Sequence, residues 1–216
     1  MTERERTEDY IVSLESGHGS LCDEIARTAR EEGVPIIRPG TAALLKTLVT
    51  AVQPSAILEV GTAIGYSALL MAQAMPEACV ITTIEKYEKR IPQARENFKR
   101  AGEERRIHLI EGDAGDILQK LEGPYEFIFM DAAKGQYLNW LPQVLRLLSP
   151  GGVLMSDNIL QEGTVLESRF SVERRDRTIH SRMREYLYCL KHHPDLTTAI
   201  VPIGDGVAIS VKKGCI

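Results

Sequence analysis

Apolar positions in the first fifty residues recur at helical spacing. Between Asp9 and about Glu32 they fall at Tyr10, Ile11, Leu14, Leu21, Ile25 and Ala26, with a break near Gly17-His18-Gly19, which predicts two short helices. Gly33-Val34-Pro35-Ile36-Ile37 reads as an extended breaker. A stripe of Ala42, Leu44, Leu45, Leu48 and Val49 predicts a third helix over Thr41 to Val52, stopped by Pro54. The pattern then changes to short aliphatic runs: Ala56–Val60, Val80–Ile84, Ile107–Ile110, Phe127–Met130 and Gly152–Ser156. Each run has strand length, and helical stretches separate them. Five such β–α units in series predict an α/β fold with a parallel sheet and helices on both faces. Thr197 to Pro202 and Val207 to Val211 are joined only by Ile203-Gly204-Asp205-Gly206. A link that short makes an antiparallel hairpin, because a parallel crossover takes a dozen or more residues. The organisation expected is one domain over residues 1–216, with N-terminal helices in 1–53 and the sheet in 54–216.

Composition narrows the class without naming it. Apolar residues are 44% and charged residues 26% of the chain, the mix of a globular protein and not of a disordered chain or a membrane bundle. No apolar run approaches the roughly 20 residues of a membrane-spanning helix, and no secretory signal follows the charged Met1–Arg6. Four scattered cysteines (Cys22, Cys79, Cys189, Cys215) suggest reduced thiols in the cytoplasm rather than a disulfide frame or a zinc site. A net charge of -4 gives no overall attraction to nucleic acid, so any such binding needs a local basic patch.

The chemistry gathers where strands end. In an open parallel sheet, ligands bind outside the carboxyl ends of the strands. Glu59, Glu85, Asp113, Asp131 and Asp157 all sit at or just past such ends. One acidic residue there is usually a cap; five in five is a pattern. Between the first strand and its helix lies Glu59-Val60-Gly61-Thr62-Ala63-Ile64-Gly65-Tyr66-Ser67. It resembles a dinucleotide fingerprint but carries Ala63 where the second glycine would admit a pyrophosphate. That argues against an NAD-type oxidoreductase and, with Glu59 beside the loop, for a cationic or neutral cofactor. Glu85 is placed to hold both hydroxyls of a ribose, and Asp113 to border an adenine. A nucleoside without phosphates and with a cationic tail describes S-adenosylmethionine. Asp131, Asp157 and Asn158 end adjacent strands and offer two carboxylates and an amide oxygen, a set suited to Mg2+. Spacing alone reads them equally well as a helix cap and a turn pair.

Four motifs together carry a resemblance: Leu58–Ser67, Asp131-Ala132-Ala133-Lys134-Gly135-Gln136-Tyr137, Ser156-Asp157-Asn158, and Pro202-Ile203-Gly204-Asp205-Gly206. Over nearly the whole chain the sequence resembles the cation-dependent O-methyltransferases, the group of catechol and caffeoyl-CoA O-methyltransferases. Within that group, Asp-Ala-Ala-Lys-Gly-Gln-Tyr with Ile-Gly-Asp-Gly is similar to the bacterial tRNA 5-hydroxyuridine methyltransferases, which make 5-methoxyuridine at the wobble position. The resemblance implies a Rossmann-like class I methyltransferase fold with a seven-stranded, mostly parallel sheet. It implies cofactor positions at Ile37, Glu59, Gly61, Ser67, Glu85, Asp113, Ala114 and Asp131, and metal ligands at Asp131, Asp157 and Asn158. The general base of some members falls on Lys134, which otherwise reads as a solvated lysine. The cofactors implied are S-adenosylmethionine and Mg2+.

A candidate RNA contact lies further on. Residues 169–184 hold Arg169, Arg174, Arg175, Arg177, Arg182 and Arg184 against Glu173 and Asp176 only. Such a stretch suits the phosphates of a tRNA anticodon loop, and equally the solvated face of an amphipathic helix. A small-molecule catechol substrate and a non-catalytic RNA-binding role are the alternatives. No membrane contact is expected, and the N-terminal helices are free to cover the cofactor or to form a homodimer contact.

Overall fold

The structure, a computed structural model, describes residues 3–168 and 170–214. Arg169 and Cys215 therefore lie outside the described residues. Helices α1 (Glu3–Ser13), α2 (Ser20–Glu32) and α3 (Pro39–Val52) precede the sheet. The strands are β1 (Ala56–Val60), β2 (Val80–Glu85), β3 (Ile107–Glu111), β4 (Tyr125–Met130), β5 (Leu148–Ser156), β6 (Leu196–Val201) and β7 (Val207–Lys212). Between them run α4 (Tyr66–Ala74), α5 (Ile91–Ala101), α6 (Ala114–Lys120), α7 (Tyr137–Leu147) and α8 (Arg177–His192). Pro39 opens α3 two residues ahead of the expected Thr41, as a proline suits a first helical turn. Strand β5 starts at Leu148 rather than Gly152, because Ser149-Pro150-Gly151 joins the strand despite its turn composition.

The sheet has seven strands in the order β3-β2-β1-β4-β5-β7-β6. The first five are parallel, and β7 pairs antiparallel with both β5 and β6. The fold class is the α/β arrangement expected, hairpin included. Strand order reverses between β1 and β4, which opens a crevice at their carboxyl ends. Period-2 alternation sends Ile57 to the face covered by α2, α3, α4 and α5, and Leu58 and Val60 to the face covered by α6, α7 and α8. Helix α1 leans on α3 and leaves Tyr10, Ile11 and Leu14 exposed.

Register brings the strand ends level. Val60 is opposite both Ile84 and Met130, and Met130 is opposite Ser156. The ladder runs one bond further: Gly61 N donates to Ile84 O, Asp131 N to Val60 O, and Asp157 N to Met130 O, at 2.9–3.1 Å. The residues that end these strands are therefore set side by side by backbone hydrogen bonds.

Candidate active site

A cavity of about 450 Å³ occupies the crevice. Of the expected cofactor positions, Ile37, Gly61, Ser67, Glu85, Asp113, Ala114 and Asp131 line it, together with Lys134 and Asn158. Two of the proposed residues do not reach it, Glu59 and Asp157. From the N-terminal segment the loop Pro35–Arg38 lines it, and among the described residues none of α1 or α2 does.

The loop after β1 is held against the loop after β4. Gly61 has φ +93, and a Cβ there would collide with the Asp131 carbonyl oxygen. Only glycine permits that approach. Ala63 takes a positive φ of 48 without glycine's freedom, and its N–H donates to Glu85 Oε2 at 2.8 Å. Glu85 Oε1 accepts from the N–H groups of Lys86 and Tyr87. The carboxylate thus pins its own strand end and the β1 loop, with the ribose role still open to its remaining lone pairs. Asp113 caps α6 by accepting from Gly115 N at 2.8 Å while half exposed at the cavity.

Glu59 stands behind the cavity lining. It is fully buried and points to the Ile57 face, away from the cavity. Ser67 Oγ donates to its Oε1 and Thr83 Oγ1 to its Oε2, each at 2.5 Å. Burial pushes its carboxyl up to about 7, against the pull of the donating hydroxyls. Glu59 ties α4 and β2 to β1 and fixes Ser67, which does line the cavity.

Asp131, Asp157 and Asn158 do converge. Asn158 Nδ2 donates to Asp131 Oδ1 at 3.0 Å and lies 3.4 Å from Asp157 Oδ2. Asn158 reaches this position with φ 59, in the left-handed region that asparagine tolerates better than most residues. Burial raises the Asp131 carboxyl, opposed by Asn158 and by the charge of Lys134. Burial and then the charge of Asp131 push Asp157 up to about 7. Asp157 Oδ1 is buried with no hydrogen-bond partner. No group of three or more His, Cys, Asp or Glu side chains is arranged for a metal among the described residues; the set here is two carboxylates and an amide. Two neighbouring carboxyls in a dry site and one orphaned carboxylate oxygen leave room for a cation. Asn158 presents Nδ2 to both carboxyls; with its amide turned over it offers Oδ1, and two carboxylates with an amide oxygen suit Mg2+.

Lys134 sits in a single 3-10 turn, Lys134–Gln136, directly after β4. Its Nζ is 3.6 Å from Asp205 Oδ2. Asp205 belongs to the β6–β7 link, is nearly buried, and takes the Glu162 N–H on Oδ1. Sequence reasoning gives Lys134 no such partner, although the β6–β7 link is one of the four motifs above; a pairing so distant along the chain leaves no local signal. Trp140, also unassigned, lines the cavity from α7. Its helical spacing with Tyr137, Leu141 and Val144 reads only as core.

The basic stretch divides. Arg177 donates to the carbonyls of Val172 and Phe170, Arg182 to that of Gly135, and Arg184 to those of Val165 and Glu167. Arg175 pairs with Glu173 and Asp176 on the surface. These contacts fasten the irregular segment before α8 to the body and leave Arg174 as the exposed arginine without a described partner. The Arg182 bond to Gly135, next to Lys134, puts α8 beside the cavity mouth. Leu166 and Phe170 are exposed in the same segment, at 74% and 86%.

A Rossmann-like sheet whose β7 runs antiparallel, with a cavity across its β1/β4 reversal, defines the methyltransferase class of α/β proteins. The chain belongs to the O-methyltransferase family, whose profile matches residues 17–213. It is 33% identical over 169 residues to the catechol O-methyltransferase of Niastella koreensis, covering 76% of each chain. It is 31% identical to the tapetum-specific methyltransferase 1 of Arabidopsis thaliana, over 83% of this chain and 77% of that one. Among solved structures it is similar to the O-methyltransferase from Bacillus cereus in complex with SAH (TM-score 0.85, 25% identity, 96% and 97% of the two chains). It is similar also to TomG from Streptomyces achromogenes in complex with SAM (TM-score 0.85, 26% identity, 99% and 100%).

Proposed function

We propose that the protein is a cytoplasmic O-methyltransferase that uses S-adenosylmethionine and Mg2+ to convert 5-hydroxyuridine at the tRNA wobble position into 5-methoxyuridine. The observation that carries the reading is the double position of Asp131, which lines the cavity and also joins Asp157 and Asn158 in the oxygen donor set. In this reading the cavity holds the cofactor, with Glu85 at the ribose and Asp113 at the adenine. Asp131, Asp157 and Asn158 hold the cation. When bound, the cation supplies a positive charge that orients two adjacent acceptor oxygens and lowers the pKa of a hydroxyl. The 5-hydroxyl and 4-carbonyl of 5-hydroxyuracil make such a pair.

The chain's own groups set the geometry. Methyl transfer needs nucleophile, methyl carbon and sulfur nearly in line, so the gain comes from fixed placement. Lys134 Nζ, anchored by Asp205, stabilises the oxyanion as an ammonium; to take the hydroxyl proton it would have to be the neutral amine first. Trp140 and Ala114 give the cavity an apolar wall beside the proposed adenine pocket. Exposed Phe170 offers a face for an unstacked base, and Arg174 a charge for a phosphate, which supports an RNA acceptor. No helix among the described residues is long and apolar enough to cross a membrane.

A second reading, a small catechol acceptor, is favoured by the arginines bound to the chain's own carbonyls and by the relatives' names. Nucleoside mass spectrometry of bulk tRNA from cells lacking the gene separates the two. Loss of 5-methoxyuridine with build-up of 5-hydroxyuridine supports the RNA acceptor. An unchanged nucleoside profile rejects it and promotes the catechol.

A further inference from the structure

Two buried tyrosines hold the ends of β4 and β5. Tyr137 and Tyr186 are both fully buried, with ring centroids 5.5 Å apart in an edge-to-face contact. Packing of that kind is available to phenylalanine, so the hydroxyls ask for their own explanation. Tyr137 Oη donates to Met130 O at 3.0 Å and accepts from Ala132 N at 3.1 Å. Those are the two residues flanking Asp131. The same oxygen lies 3.4 Å from the carbonyl of Asp157. Tyr186 Oη is 2.6 Å from Ser156 Oγ, on the residue before Asp157. Every partner of the two phenols is therefore Asp157 itself or a residue adjacent to Asp131 or Asp157.

The place matters physically. The β4 ladder stops after Asp131, so Ala132 N has no strand to bond. Asp131 and Asp157 carry like charges at level positions of adjacent strands, and their repulsion works to spread the two ends. A hydroxyl that bonds both sides of Asp131 and reaches the Asp157 carbonyl opposes that spreading.

We infer that Tyr137, supported by Tyr186, is a positioning residue that fixes the spacing of Asp131 and Asp157 for a divalent cation. The inference rests on the cation reading given above. Neither phenol lines the cavity, so neither is placed to touch cofactor or acceptor.

Mn2+ serves as the probe, with binding to the full chain read by electron paramagnetic resonance and S-adenosylmethionine affinity read by calorimetry. Tyr137→Phe keeps the ring and removes the hydroxyl. It should weaken Mn2+ binding about ten- to a hundredfold, as loss of an outer partner of metal ligands does, and change S-adenosylmethionine affinity by less than about threefold. Tyr186→Phe should weaken Mn2+ less, since its hydroxyl holds one strand end only. A lowered melting temperature with unchanged Mn2+ affinity overturns the inference, because that is what a merely structural hydroxyl gives. Equal losses for Mn2+ and S-adenosylmethionine overturn it too. If Tyr137→Phe does not fold, Tyr186→Phe carries the test, and unchanged Mn2+ affinity there is the overturning result. A wild type that binds no Mn2+ removes the cation reading itself, an outcome distinct from a wild type that binds and a variant that binds equally.

Discussion

Glu59 and Asp157 are both carboxylates at the ends of parallel strands. Both are buried, neither lines the cavity, and both are pushed up to about 7. Their surroundings differ. Glu59 has a hydroxyl on each oxygen, from Ser67 and Thr83. Asp157 has one oxygen with no partner and a second carboxylate, Asp131, beside it. A raised carboxyl by itself therefore says little about role. Filled hydrogen-bonding capacity marks a structural clamp, and unfilled capacity next to a like charge marks a place for a cation.

The sharpest way to break this comparison is to remove each carboxylate. Asp157→Ala should cost methyl transfer at least about a hundredfold, because even outer partners of metal ligands can cost that much. Its S-adenosylmethionine affinity should hardly change, whereas Asp131→Ala should lower both, since Asp131 also lines the cavity. Equal cofactor affinity of the two variants in calorimetry would undo the division. A chelator should silence the wild type, and added Mg2+ restore it.

Glu59 should show itself in stability instead. Its folded value of about 7 exceeds the ordinary 4.5, so between those values the folded state holds a proton that the unfolded state releases. Stability should therefore fall as pH rises through that window and level off above it, by about 3 kcal/mol. Glu59→Gln should make that fall less steep in urea denaturation between about pH 5 and about pH 8, with Asp157, raised to the same value, supplying what remains. A variant profile as steep as the wild type's would place the titration elsewhere.

Glu85 is the intermediate case, with three backbone donors and capacity left over. Glu85→Ala should weaken S-adenosylmethionine by roughly 1.5–3 kcal/mol, about ten- to a hundredfold. Unchanged affinity would make it a second Glu59, a clamp and nothing more.

The same contrast runs through the arginines, where the smallest effect is expected. Arg177, Arg182 and Arg184 are bonded to backbone carbonyls, so their replacement disturbs the fold of the segment before α8. Arg174→Ala with Arg175→Ala leaves that segment tied. In this pair the slope of log tRNA affinity against log salt should flatten by roughly 0.7 for each phosphate the protein no longer neutralises. A slope that stays put would leave those two arginines as a solvated surface.

How much of this was legible in the chain depends on range. The strands β1 to β5 and the hairpin follow from aliphatic runs and a short link, and they set Glu85, Asp113, Asp131 and Asp157 at or just past strand ends. The direction of Glu59 was legible in principle: it shares the face of Ile57, two residues before it, and that face meets α4. The Lys134–Asp205 pair was not, because it joins a turn after β4 to the β6–β7 link. Nor were the arginine partners. Apart from Gly135, they belong to the irregular segment between β5 and α8, with left-handed Gln161, Glu162 and Gly163, for which periodicity offers no template.

Strand β6 has a sheet neighbour on one side only, and that neighbour, β7, comes later in the chain. It follows that β6 cannot join the sheet ahead of β7. Either β7 pairs with β5 first and β6 adds to it, or the two dock as a ready-made hairpin. With them comes Asp205, the counter-ion of Lys134. In either order the Lys134–Asp205 pair closes only once the C-terminal hairpin has its place in the sheet, so the anchoring of that lysine reports on the completion of the sheet edge.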